Sequence, residues 1–355
     1  MTTVLAVLLT SYSSFLTAQR PTVAPPHGLK LAHTYSIVAY DSSNGDLGVA
    51  VQSKFPNVGG IVPWGRAGVG AVATQSLSNT EYGERGLDLM AQGATAEEAL
   101  RIVMRSDTML QDRQVGMVDV LGNAASFTGS RTFDWAGGRV GPGGRAPSPS
   151  PGRRIPSAAG RTGDSGGGKG EVIVGRGYAA QANIMVSDQT VRNLAETFER
   201  TRGSLAERLM AALKAGQAGG GDKRGMQSAA LLVVRKNGGY LGANDRFIDI
   251  RVYDAADPIA ELERLLALHT LHFFPSQPRD LIPIGPALVA RLEPILMSEP
   301  RGQTEKWLQR RQGSATPEFL QALQNFMYWE NYDVRVRMDG RIDRVALEDI
   351  LKKRR

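Results

Sequence analysis

Thr34 and Lys54 are the two side chains whose types and spacing most directly suggest chemistry. Residues 35–40 read as a strand, Ser42-Ser43-Asn44-Gly45 as a turn and 47–54 as a second strand, together a β-hairpin signal. With the turn centred near Ser43-Asn44, antiparallel pairing sets Thr34 opposite Ser53 or Lys54. A threonine hydroxyl is a weak nucleophile at neutral pH until a base takes its proton. An adjacent amine, either a free N-terminal amine or a lysine, can serve, and Lys54 could also lower that amine's pKa electrostatically. The plainer alternative stands beside this one: threonine suits strands, and a lysine at a strand end is commonly solvated.

Other chemistries are narrowed by composition. The chain has no cysteine, which excludes disulfides, thiolate metal sites and a cysteine nucleophile. Of the four histidines, His27 and His33 precede the legible core. His269 and His272 lie one helical turn apart with no carboxylate at ligand spacing, so neither a metal nor a cofactor is expected. Polar residues at strand ends are the candidates for donors to an oxyanion: Gln75, Ser76, Asn79, Asn183 and Ser228. Each could equally be a satisfied turn or strand-end residue.

The elements that must position these groups alternate in kind. Strands are expected at 60–64 and 68–76, helices at 81–92 and from Thr95 to Arg105, where Thr95 and Glu98 form a capping box. Strands follow at 114–120, 124–129 and 178–186, helices at 189–200 and 204–215, and strands at 228–235 and 247–253. Asp257-Pro258 opens a last amphipathic helix. Hairpins in place of crossovers predict an α+β fold of stacked antiparallel sheets flanked by helices, an αββα sandwich.

Residues 137–177 interrupt this order with fourteen glycines and five prolines in forty-one residues, a composition that predicts a disordered surface insertion. The formal net charge of +7 is concentrated there and at the C-terminal end. Residues 137–177 hold seven Lys/Arg against two acids, residues 276–355 fourteen against eleven, and the rest is close to neutral. Nucleic acid is therefore not an expected partner.

Four stretches resemble the domain-of-unknown-function-1028 family: Thr34-Tyr35-Ser36-Ile37-Val38-Ala39, Gly48-Val49-Ala50-Val51-Gln52-Ser53-Lys54-Phe55, Gly68-Val69-Gly70-Ala71-Val72-Ala73-Thr74-Gln75, and Lys223 to Val234. The resemblance covers about residues 34–272 apart from the insertion. It implies the four-layer αββα sandwich of the N-terminal-nucleophile (Ntn) hydrolases, in which the first residue of the processed chain attacks an amide and its own α-amine is the base. Thr34 occupies the nucleophile's position, Lys54 that of the lysine usual beside it in proteasome-like members, and Gln75 and Ser228 lead the oxyanion candidates because they lie within the family-like motifs. The chain departs from the pattern in carrying thirty-three residues before Thr34, so the mechanism requires a cut between His33 and Thr34.

After Pro275 and Pro278, short helices are expected at 281–297 and 317–326. The stretch Phe326 to Tyr332, then Asp339-Gly340-Arg341-Ile342-Asp343 and a final helix to Leu351, resembles a peptidoglycan-binding module often appended to that family. The resemblance implies sugar-stacking roles for Trp329 and Tyr332; both could equally be core of a small helical unit.

The expected organisation is a leader (1–33), an Ntn-hydrolase-like domain (34–275) and a mostly helical peptidoglycan-binding module (276–355). An apolar run, 4–9, and Leu16-Thr17-Ala18 make the leader signal-like, although no Lys or Arg precedes the run. The expected location is secreted or periplasmic, or cytoplasmic if the leader is not a signal peptide, with no integral membrane span. Three functions follow: an Ntn-type amidohydrolase acting on a peptide or amide, with peptidoglycan among the candidate partners; a non-catalytic wall- or ligand-binding protein; or a homo-oligomeric interaction protein.

Overall fold

The hairpin read from the 42–45 turn forms. Strand β1 (Thr34–Asp41) runs antiparallel to β2 (Asp46–Ser53), with Thr34 paired to Ser53. Asp41 and Asn44 each turn a side-chain oxygen onto a backbone N–H two residues on, Ser43 at 3.0 Å and Asp46 at 3.0 Å, and Gly45 takes a φ of 81° that a side chain would disfavour. The computed structural model describes residues 34–142, 169–298, 300–301 and 305–353. The leader, 1–33, lies outside them.

Two antiparallel sheets make up the larger part. One has the order β11-β10-β2-β1-β9-β7, adding β7 (Trp135–Val140), β9 (Tyr178–Met185), β10 (Ser228–Val234) and β11 (Arg246–Val252) to the hairpin. The other has the order β3-β4-β5-β6-β8, from β3 (Pro63–Arg66), β4 (Gly70–Ser76), β5 (Arg113–Asp119), β6 (Asn123–Thr128) and β8 (Val172–Arg176). The period-2 alternation of side chains decides what each face meets. Tyr35, Ile37 and Ala39 pack against α3 (Gln189–Arg200), α4 (Leu205–Ala218) and α5 (Pro258–Phe273) through Leu194, Leu209, Leu213 and Leu262. Val38, Val49 and Val51 meet Ala71, Ala73 and Val118 of the smaller sheet. Val72, Val115, Met117 and Phe127 point the other way, onto α1 (Glu81–Ala91) and α2 (Ala96–Met104) through Tyr82, Leu87, Leu100 and Val103. Burying each large apolar side chain in these clusters contributes about 1.5–3 kcal/mol.

The helix starts follow their chemistry. Thr95 with Glu98, and Ser204 with Glu207, close capping boxes on α2 and α4, and Asp257 caps α5 ahead of Pro258.

Two expectations are corrected. Residues 137–177 are not all insertion: β7 and β8 occupy its two ends, as edge strands of different sheets, and only 143–168 lie outside the described residues. Their glycines serve close approach. A Cβ on Gly138 would stand 2.8 Å from Ser126 Oγ, and one on Gly175 would stand 2.3 Å from the Gly141 carbonyl oxygen. The strand expected at 60–64 is a 3₁₀ turn (Val58–Gly60) followed by β3.

The C-terminal part builds its own cluster from α6 (Pro286–Ser298), α7 (Pro317–Trp329) and α8 (Arg344–Lys353), with Phe319, Phe326, Tyr332, Leu347 and Ile350 inside. Leu281–Pro283 pairs with Arg341–Asp343, a short strand where a helix had been expected. Leu271 of α5 joins this cluster, and the Arg335 guanidinium donates to the Leu271 and Thr270 carbonyls at 2.7 and 2.9 Å, closing the C-terminal end of α5. Among the described residues no helix is long and apolar enough to cross a membrane.

Candidate active site

Thr34 opens β1 and is fully buried. Its Oγ1 donates to Ser53 Oγ at 3.1 Å across the hairpin. Its carbonyl oxygen accepts from two side-chain amides, Gln75 Nε2 at 3.1 Å from the smaller sheet and Asn183 Nδ2 at 3.4 Å from the larger. Two of the five oxyanion candidates therefore converge on Thr34, and what they hold is its own carbonyl.

Behind them lies a polar half-layer between the sheets. Gln114 Oε1 accepts from both Gln75 Nε2 and Asn183 Nδ2, each at 2.8 Å. Gln114 Nε2 donates to Ala182 O at 2.8 Å and to Thr128 Oγ1 at 2.9 Å. Ser36 Oγ donates to Gln75 Oε1 at 2.7 Å and accepts from Gln181 Nε2 at 2.6 Å. All of these residues are buried. Gly116 leaves the room Gln181 occupies, since a Cβ there would lie 2.1 Å from Gln181 Oε1. Buried amides are costly unless paired, and this network pairs most but not all of its atoms: Gln181 Oε1, Asn183 Oδ1 and Ser126 Oγ have no partner. On the opposite, helix-facing side of β2, Gln52 is fully buried with neither side-chain heteroatom paired.

The backbone is strained at the same place. Ser76, directly after Gln75, has φ 67°, and Ile184, directly after Asn183, has φ 59°; neither is glycine, and isoleucine is β-branched. Such conformations cost of order 1–3 kcal/mol each and persist where the surroundings enforce them. Ile184 is held through its N–H on Phe133 O at 3.3 Å and its carbonyl under Lys223 N at 3.1 Å. Past Ser76, Arg113 donates to the Leu77 carbonyl and to Asp107 at 2.9 Å, and Asp107 also accepts from the Tyr82 hydroxyl at 2.8 Å. Desolvation raises the Asp107 pKa, but the Arg113, Tyr82 and Met109 N–H bonds outweigh it and hold the carboxyl at about 2. Burial and the Asp107 bond push the Tyr82 phenol well above its usual range.

The remaining expected residues fall elsewhere. Lys54 is exposed and its Nζ donates to Met226 O at 3.1 Å, not to Thr34. Ser228 is committed to the 55–58 loop, donating to Phe55 O and accepting from Val58 N at 3.1 Å. Asn79 Oδ1 caps Glu81 N at 3.1 Å, and the buried Ser76 contributes its backbone strain. Tyr332, expected to stack on a sugar, is fully buried: its hydroxyl donates to Asp349 at 2.6 Å and its ring stacks on His272. Trp329 is 60% exposed and lies 5.9 Å from Trp307. His269 and His272 contact the Phe247 and Asn331 carbonyls.

Ser36, Gln114, Gln181 and Thr128 were not among the expected site residues. For three of them a signal was present, a polar side chain at every second position near one end of an otherwise apolar strand (Thr34 and Ser36, Gln181 and Asn183, Ser126 and Thr128); Gln114 stands alone on its face of β5.

No curated relative matches the chain. Among solved structures, it is similar to protein SPO2555 from Silicibacter pomeroyi, at 26% identity and a TM-score of 0.52, over 67% of this chain and 90% of that one; that protein carries the same family description as the one found here. A family model matches residues 34–146 and 154–262, beginning at Thr34, and the chain belongs to the family of unknown function DUF1028.

Proposed function

We propose that this protein is an amide-bond hydrolase of the N-terminal-nucleophile type, with Thr34 as nucleophile and the α-amine of a freed Thr34 as its base. One observation carries the reading. The first residue of the first strand is fully buried and clamped by its carbonyl between Gln75 of one sheet and Asn183 of the other, with its hydroxyl on Ser53. A clamp of this kind fixes the Cα of Thr34, and with it the relation of hydroxyl to amine, which is what a nucleophile that is its own base requires. The order of helices, sheet, sheet and helices supports a four-layer sandwich of the Ntn kind, and the family match beginning at Thr34 supports the same boundary. Lys54 has no part in this version, because its amine is on Met226 O. A peptide or amide is the substrate class, and the signal-like leader supports a secreted or periplasmic enzyme, with a further cut before Thr34 needed to free its amine.

The exposed Trp329 beside Trp307 favours a second reading, a wall- or ligand-binding protein that retains the sandwich without freeing Thr34. Intact mass and N-terminal sequencing of the protein from its native source separate the two. A chain beginning at Thr34 is expected; one that retains residues before it overturns the nucleophile assignment.

A further inference from the structure

Gln114 belongs to neither the expected site nor the clamp itself, yet its hydrogen bonds reach both clamping amides. Its nitrogen faces two groups that can only accept, the carbonyl oxygens of Ala182 at 2.8 Å and Gly137 at 3.3 Å. The amide cannot be reversed without setting oxygen against oxygen. Gln114 Oε1 must then face Gln75 and Asn183, and each must present its nitrogen to it, at 2.8 Å in both cases. Each of those nitrogens has a further N–H, and both reach the carbonyl of Thr34. At the far side Gln75 Oε1 accepts from Ser36 Oγ, as this orientation requires. One side chain thus bonds two amides, one on each sheet, and at Gln75 it acts together with the Gln181 carbonyl, which the same nitrogen faces at 3.3 Å.

We propose that Gln114 is a positioning residue for Thr34: it locks the amide orientation of Gln75 and Asn183 so that both donate to the Thr34 carbonyl. The role rests on Thr34 being the nucleophile. The locking can be measured without that assumption. In the full wild-type chain, the side-chain amide protons of Gln75 and Asn183 should exchange with solvent roughly a hundredfold more slowly than those of exposed Gln92, and Gln114→Leu should remove at least tenfold of that protection. Exchange as fast as Gln92 in the wild type overturns the proposal.

The consequence for chemistry is read with a β-lactone probe on the chain recovered from its native source. Thr34 Oγ1 adds to the lactone carbonyl and the ring C–O bond breaks. An ester forms on Thr34, and the hydroxyl proton passes through the α-amine to the released alkoxide, so the adduct has the whole mass of the lactone. In Gln114→Glu the protonated carboxyl reproduces one donor and one acceptor of the amide, whereas the carboxylate sets a charge against the Ala182 and Gly137 carbonyls. Labelling of the variant should therefore follow the wild type at low pH and fall roughly tenfold below it as the introduced carboxyl ionises. A variant profile identical to wild type overturns the positioning role alone. A wild-type chain that begins at Thr34 and takes no label overturns the nucleophile reading, and this role with it.

Discussion

Arg335 and Asp343 meet at 2.8 Å with side chains 5% and 0% exposed, and the same guanidinium closes the C-terminal end of α5 through the Leu271 and Thr270 carbonyls. The C-terminal cluster is thereby tied to a helix that packs on the larger sheet. Removing one partner of a buried ion pair strands the other charge. Arg335→Met should destabilise the protein by about 3–5 kcal/mol, read by chemical denaturation. The double variant Arg335→Met with Asp343→Leu should recover part of that loss. A single variant within 1 kcal/mol of wild type would mean that the pair is solvated in solution.

At Thr34 the change to Ala removes the hydroxyl that donates to Ser53. The carbonyl clamp is untouched, so the fold should survive with a loss of about 1–2 kcal/mol, while hydrolysis across an amide panel and acylation by β-lactones should vanish. Retained hydrolysis in this variant would remove Thr34 from the chemistry.

Ser76→Gly tests the strain beside the clamp. With φ at 67°, serine pays for a backbone that glycine adopts freely, so the variant should be more stable by up to about 1 kcal/mol, measured by thermal denaturation. A loss of more than that would place Ser76's value in its side chain.

Asp107 sets an acid limit. Its folded pKa of about 2 lies below the ordinary 3.8, so its bonds to Arg113, Tyr82 and Met109 stabilise the fold above pH 3.8, and that contribution is lost as pH falls from 3.8 towards 2. Asp107→Asn should be less stable than wild type at neutral pH and show a flatter stability profile across that window. Parallel acid profiles for the two proteins would contradict the assignment. His269 works in the same direction at higher pH: burial lowers its pKa, so stability should begin to fall as pH drops below about 6.5.

Local signals in the chain predicted local structure well. The 42–45 turn set Thr34 against Ser53, Thr95 with Glu98 began α2, and Asp257-Pro258 began α5. Gln75 and Asn183 were identified as polar strand ends, and both reach Thr34. What stayed hidden was the partner of each face. Gln114 and Gln181 join groups 39 to 145 residues apart in sequence, through contacts between sheets that no local period encodes. Glycine misled for a related reason: in β7 and β8 it provides room for a facing chain, and by composition alone that is indistinguishable from slack. Lys54 and Ser228 stand at the right strand ends, but their hydrogen bonds go to the Met226 and Phe55 carbonyls. Alternation places a side chain on a face but does not say which neighbour it will bond.

The half-layer that holds Thr34 contains serine, threonine, glutamine and asparagine, and no acid, base or phenol. Such a frame has no proton inventory of its own. Above the acid limit set by Asp107, a catalytic pH profile would therefore report on the amine of a freed Thr34 and on the substrate, with these amides and hydroxyls contributing no titration of their own.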